Sequence, residues 1–154
     1  ADELKALALG VRMVRVWSDH TLRGEAASAL RKIESALPEG LREELRLDEI
    51  RVPHVTADGR LAERLEAVRR AINERRVLGI EYRSLAGEIT ERRIRPLVLL
   101  YWGSKWTLGA WCELRTGLRS FRIDLIDRLD ITDDTFEEQP GRSRADYLAQ
   151  MEQT

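Results

Sequence analysis

At 154 residues the chain is about one domain long, with room for one barrel or sandwich and a helical appendage, which excludes a large multidomain enzyme. Charged residues make up 34% of it, against about 25% in an average globular domain, so the excess must lie on a surface. The formal net charge of -1 excludes a protein that coats nucleic acid or membrane with charge of one sign.

In chain order, Leu4, Leu7, Ala8, Val11 and Val14 recur at helical spacing and predict an amphipathic helix from Asp2 to about Trp17. Asp19 is placed to cap a second helix, whose stripe Leu22, Ala26, Leu30, Ile33 and Leu37 is ended by Pro38 and Gly40. Together they form a helical hairpin. The pattern then blurs through Leu45, Leu47, Ile50 and Val52, with Pro53 and His54 reading as a connector and a boundary near Ala57–Gly59. Asp58 caps a further helix to Arg75, apolar at Leu61, Leu65, Val68 and Ile72. Beyond it the period falls from 3.6 to 2. Five strands follow, at Val77–Arg83, Glu88–Leu100, Lys105–Leu114, Leu118–Asp124 and Ile126–Thr132, with turns at Leu85–Gly87 and Thr116–Gly117. Pro96 forces a bulge or an edge in the second. A helix followed by five short strands at hairpin distance predicts a small antiparallel barrel, closed or nearly so. After Pro140 and Gly141 a short helix runs from Ser143 to about Met151. The organisation read from this is a helical linker or dimerisation segment over 1–57, a barrel over 58–134 and a tail with a short helix over 135–154, an α+β chain overall.

A single cysteine, Cys112, forms no internal disulfide and fits a reducing compartment. The longest apolar stretch, Leu97 to Trp102, is far shorter than the ~20 residues of a membrane span, and the chain opens on no basic-then-apolar leader, so a cytoplasmic protein is expected. His20 and His54 are the only histidines, and no spacing matches a zinc site or a phosphate-cradling glycine loop. No catalytic residue, metal or cofactor is therefore assigned. The run Asp124, Asp127, Asp130, Asp133, Asp134 lacks the oxygen spacing and central glycine of a calcium loop and reads as a solvated strand edge.

The charge is divided along the chain: residues 1–59 carry -2, residues 60–122 carry +7 and residues 123–154 carry -6, and 23 of the 26 basic residues are arginines. In the basic segment Arg92, Arg93, Arg95, Arg119 and Arg122 alternate with Tyr82, Trp102, Trp106, Trp111 and Phe121. A guanidinium forms bidentate bonds to phosphate or carboxylate and an aromatic face stacks on a base. The competing reading makes Trp106 and Phe121 barrel core and pairs the arginines with Glu81, Glu88, Glu91 and Glu113.

Tyr82, then Gly87-Glu88, then Arg92-x-Ile94-x-Pro96-Leu97, then Trp106-Thr107-Leu108 with Ala110-Trp111-Cys112, then Arg119-x-Phe121-Arg122-x-Asp124-x-Ile126 together resemble the WYL domain, the effector-sensing part of bacterial winged-helix transcriptional regulators of the DeoR-like kind. The resemblance runs from about Gly59 to Thr132. The hairpin over 1–37 is similar to the segment that follows the DNA-binding head in such regulators, so the chain resembles one whose N-terminal winged helix is missing. The family implies an Sm-like or SH3-like five-stranded barrel and a ligand pocket for an anion, a nucleotide or single-stranded nucleic acid. Carried over by motif, the pocket residues are Tyr82, Arg92, Trp106, Thr107, Leu108, Arg119 and Arg122. Thr107 stands where the namesake tyrosine is usual, and Leu125 where a basic residue is common.

Three readings follow. The first is the sensor of a homodimeric regulator that meets its operator through the absent head. The second is a module that binds single-stranded nucleic acid directly, with a steep salt dependence. The third is a structural dimerisation domain with an empty barrel. The acidic tail is expected to lie over the basic barrel, in competition with an anionic ligand.

Overall fold

In a computed structural model, residues 2–46, 52 and 59–153 are described. The connector around Leu47, Ile50, Pro53 and His54, the boundary at Ala57 and the Asp58 cap lie outside them. Contacts divide the chain into two units, Ala1–Glu66 and Ala67–Thr154.

In the first unit, α1 (Asp2–Trp17) and α2 (His20–Ala36) lie against each other. The Asp19 carboxylate accepts from the Leu22 amide at 2.9 Å, which satisfies one of the free N–H groups that open α2. A helix that the apolar pattern misses, α3 (Glu39–Arg46), follows at once. Pro38 does not end the ordered segment: its carbonyl accepts from the Leu41 and Arg42 amides, both at 3.1 Å, so it starts the new helix. Arg42 ties the junction by donating to the Glu34 and Leu37 carbonyls at 2.9 Å, and Arg12 of α1 donates to the Leu45 carbonyl at 2.9 Å. The hairpin leaves apolar side chains in water, Leu7 at 57% exposure among them.

α4 (Gly59–Glu74) ends at Arg75, whose φ of 52° lies in the left-handed region. The expected Leu65 and Val68 are buried, joined by Ala62 and Ala71, while Leu61 and Ile72 are half-buried, so the inner face keeps its direction but follows the i, i+3 row. Five strands follow: β1 (Arg76–Arg83), β2 (Ile89–Tyr101), β3 (Trp106–Cys112), β4 (Gly117–Arg122) and β5 (Ile126–Thr135). They form one antiparallel sheet in the order β4-β3-β2-β1-β5. The order is that of the expected barrel, left open between β4 and β5. There the chain crosses by a 3-10 turn, Ile123–Leu125, and side chains bridge the gap. The Tyr82 ring of β1 stands edge-on to the Phe121 ring of β4, with centroids 5.1 Å apart. The register of β2 on β3 shifts between Pro96 and Val98, so the expected bulge is present.

Residues paired across antiparallel strands point to the same face. One face carries Leu78, Ile80, Ile94, Leu108, Ala110, Cys112 and Phe121, all buried. The other carries Val98, Leu100 and Leu118, which pack with Val77, Leu97, Phe136, Tyr147 and Met151 into a second cluster. Tyr147 and Met151 belong to α5 (Arg144–Glu152). A capping box opens that helix: the Ser143 hydroxyl accepts from the Asp146 amide at 3.1 Å, and the Asp146 carboxylate accepts from the Ser143 amide at 2.9 Å.

The β3–β4 turn holds Thr116 at a φ of 48°, where a β-branched side chain is strained by about 1 kcal/mol or more and asparagine is tolerated. Thr116→Asn is therefore expected to raise stability by about 0.5–1 kcal/mol, read as a higher denaturant midpoint at unchanged slope. An unchanged or lower midpoint would show that this turn stores no strain.

Candidate functional site

The register separates the expected pocket residues. Tyr82, Thr90 and Arg92 share the core-side face with Leu108, Cys112 and Arg119, whereas Thr107 and Arg122 pair with each other on the opposite face beside Gly109 and Ser120. Leu108 is 0% exposed and serves the core, as does Phe121. Trp106 is half-buried and its ring lies 4.9 Å from that of Tyr101. Arg92 donates to the Thr90 hydroxyl at 3.0 Å, with its other arm 4.0 Å from the Cys112 sulfur.

Ion pairs account for many of the arginines. Arg93 bridges Asp134 at 2.6 Å and Glu113 at 3.2 Å, and Arg95 reaches Glu113 at 3.4 Å. Arg83 meets Asp127 at 2.6 Å, Arg76 lies 3.7 Å from Asp133, and Arg128 lies 3.2 Å from Asp130. Of the acidic run, Asp127, Asp130, Asp133 and Asp134 lie on the edge strand β5, matched to arginines of β1, β2 and their own strand, and Asp124 lies in the turn before it. Arg122 forms a fork on Asp124, at 3.0 and 2.6 Å. Those bonds hold the Asp124 carboxyl below the ordinary carboxylate range, against a smaller opposing effect of burial, and raise Arg122 further above its already high value. Arg92 and Arg119 are the two expected site arginines that make no ion pair with any described residue.

Arg119 is exposed on the free edge of β4 and lines a cleft of about 430 Å³. Leu118 and Ser120 of β4 form its floor with Arg119, Trp102 comes from the β2–β3 turn, and Tyr147, Gln150 and Met151 come from α5. Trp102 is fixed at two points: its amide donates to the Lys105 carbonyl at 2.9 Å and its indole N–H to the Thr107 hydroxyl at 2.9 Å. Thr107 therefore orients a neighbouring indole. The Tyr147 and Ser120 hydroxyls lie 2.5 Å apart.

Of the residues expected from sequence, Arg119, which the register aligns with the core-side face, lines the cleft from the edge strand and Thr107 supports it, while Tyr82, Arg92, Trp106 and Leu108 serve the core-side face. Tyr147, Gln150 and Met151 were not anticipated. One signal pointed to them, a glycine inside a strand, which marks a close approach by another chain segment. A Cβ on Gly109 would fall 2.5–2.7 Å from carbons of the Tyr147 ring. The tail does lie over the sheet, but it docks through Tyr147, through Arg144 donating to the Leu97 carbonyl at 3.1 Å, and through Arg142 stacked 5.1 Å from the Trp111 ring. Among the described residues no His, Cys, Asp and Glu cluster could hold a metal, and no helix is long and apolar enough to cross a membrane.

Residues 63–131 match the WYL domain. Among solved structures it is similar to proteasome accessory factor B/C (PafBC) of Arthrobacter aurescens, at 30% identity over 56% of this chain and 15% of that one, with a TM-score of 0.49. The chain thus spans a small part of that protein's length. α5 lies beyond the matched residues.

Because the folded-state value of Asp124 is depressed, its fork with Arg122 contributes stability above the ordinary carboxylate range, and that contribution is lost as pH falls through the folded value. A carboxyl NMR titration should place Asp124 below the ordinary value of an aspartate, and Arg122→Ala should return it upward. An unshifted Asp124 in the wild type would contradict the fork.

Proposed function

We propose that this chain is the effector-sensing part of a bacterial transcriptional regulator, which binds a small anionic ligand and passes the signal to a winged-helix DNA-binding domain of the longer protein. It is a binding domain with no catalytic role. The observation that carries this reading is Arg119, an exposed guanidinium without an acid partner among the described residues, at the edge of a cleft with an oriented indole and two hydroxyls. The WYL domain supports the regulatory part of the reading. Arginine suits the task because its fork matches carboxylate and phosphate oxygens and stays charged at any physiological pH.

The size of the cleft favours a small molecule. Pockets of about 300–1,000 Å³ hold ligands of drug size, and about 430 Å³ lies in that range, roughly one nucleotide's worth. Signal transfer in a homodimer requires a ligand that binds one arrangement of the subunits better than the other, by about 1–3 kcal/mol. Single-stranded nucleic acid is the competing ligand, favoured by the position of Arg119 and Trp102 along an open strand edge.

Titration of the chain with adenosine monophosphate, followed by tryptophan fluorescence, is expected to saturate. Arg119→Ala should weaken binding about tenfold, the loss of one charge-assisted contact. An oligothymidylate that binds more tightly, with a salt slope corresponding to several phosphates, would move the assignment to the nucleic-acid module. Unchanged affinity in Arg119→Ala would sink the anion-site reading.

A further inference from the structure

The cleft is only half built from the WYL domain. Its second wall is α5, which lies beyond residues 63–131 and is fastened to the sheet by contacts of its own. Tyr147 is 3% exposed and lies on the bare backbone of Gly109, with its hydroxyl shared with Ser120. The Ser143 capping box and the Arg144 bond to the Leu97 carbonyl hold the helix from its first turn. Tyr147 therefore stands in place before any ligand arrives, and Gln150 is set one turn further along the same helix.

The groups so arranged differ in what they recognise. Trp102 is 58% exposed, and its polar atom is already used on Thr107, so what the indole has left is its apolar face, the surface on which a flat ring stacks. The Gln150 amide has two donors and an acceptor with two lone pairs, so it can read the polar edge of a heteroaromatic ring beside the contact it keeps within the protein. The Ser120 and Tyr147 hydroxyls do the same on a smaller scale. Arg119 supplies the charge, from β4. A ligand with charge but no ring uses β4 alone, and one with a ring but no charge leaves Arg119 unused.

We infer that the cleft is a composite site for a small planar anion, one or two heteroaromatic rings bearing a phosphate or carboxylate, in which Arg119 binds the charge and α5 with Trp102 selects the ring. The inference rests on the anion reading of Arg119. It makes Tyr147 a positioning residue and Gln150 a specificity-determining one. The WYL segment supplies the anion site, and the segment that follows decides which anion.

The test compares three probes by calorimetry: adenosine monophosphate with ring and charge, ribose phosphate with charge alone, and adenosine with ring alone. Wild type should bind adenosine monophosphate at least about tenfold more tightly than either of the others. Gly109→Ala, which drives a Cβ into the Tyr147 ring, should remove most of that advantage while leaving ribose phosphate affinity unchanged. Gln150→Ala alters an exposed side chain and should weaken adenosine monophosphate several-fold, again sparing ribose phosphate. Circular dichroism establishes folding, and if Gly109→Ala does not fold, Gln150→Ala decides. Equal affinity for adenosine monophosphate and ribose phosphate, or adenosine monophosphate affinity unchanged in the folded variants, would overturn the inference. Binding that still depends on Arg119 in those cases leaves the anion site standing, whereas failure of both phosphates to bind removes the anion site itself.

Discussion

The outer face of the barrel depends on a side chain that is missing. Sheet faces are normally covered at about 10 Å, with side chains from both layers interdigitating. At Gly109 the sheet offers bare backbone, and the Tyr147 ring comes so close that even a methyl group would collide with it. That approach brings α5 down onto β3 and β4, lets Tyr147 reach the Ser120 hydroxyl, and seats Met151 beside Leu118 in the second apolar cluster. The cleft is the space left between the helix, the edge strand and the Trp102 turn. Lifting α5 by the width of one methyl group would disturb each of its contacts together, because an apolar cluster of this size has no second arrangement of equal density.

The near-zero net charge takes on meaning only once it is placed on the sheet. The +7 of residues 60–122 and the -6 of residues 123–154 meet along the β1–β5 side, where Arg76 and Arg83 face Asp133 and Asp127 and Arg93 reaches Asp134. Exposed pairs of this kind contribute about 0–1 kcal/mol each, so they do little for stability. Their larger consequence is local neutralisation. Arg119 of β4 is left out of this pairing, since the carboxylates of β5 are matched to arginines of β1, β2 and β5 itself.

The strands were legible because a half-buried sheet imposes a period of 2, and the β1–β2 turn was marked by a residue suited to it, Gly87 with a φ of 87°. α3 was not, since Pro38 and Gly40 read as breakers when one of them starts the helix and the other lies within it. Eight charged-rich residues carry too few apolar positions for a period to register. The site was legible in part: Arg119 stood out as an arginine in a motif, but period 2 alone did not reveal that Thr107 and Arg122 occupy the face opposite Arg92 and Leu108. That separation follows from register, which depends on where strands pair and where Pro96 shifts them. Tyr147, Gln150 and Met151 lie twenty-five or more residues from β4 in sequence, so only the isolated glycine in β3 could have pointed to their approach.

The same geometry makes ligand binding and the docking of α5 dependent on each other. A ligand that contacts both β4 and α5 binds the docked form of the tail better than the undocked form, and stabilises it by an amount that grows with the logarithm of ligand concentration over its dissociation constant. A ligand held by Arg119 alone has no such preference and shifts nothing, however tightly it binds. A ligand's effect on the seating of α5 therefore rests on its contacts to α5 itself. Arg142 on Trp111 and Arg144 on Leu97 extend the helix's own contacts beyond the cleft to β3 and β2, with Leu97 at the bulge where β2 changes register. The seating of this nine-residue helix is what a two-walled ligand reinforces, and it is centred on the close approach that Gly109 permits.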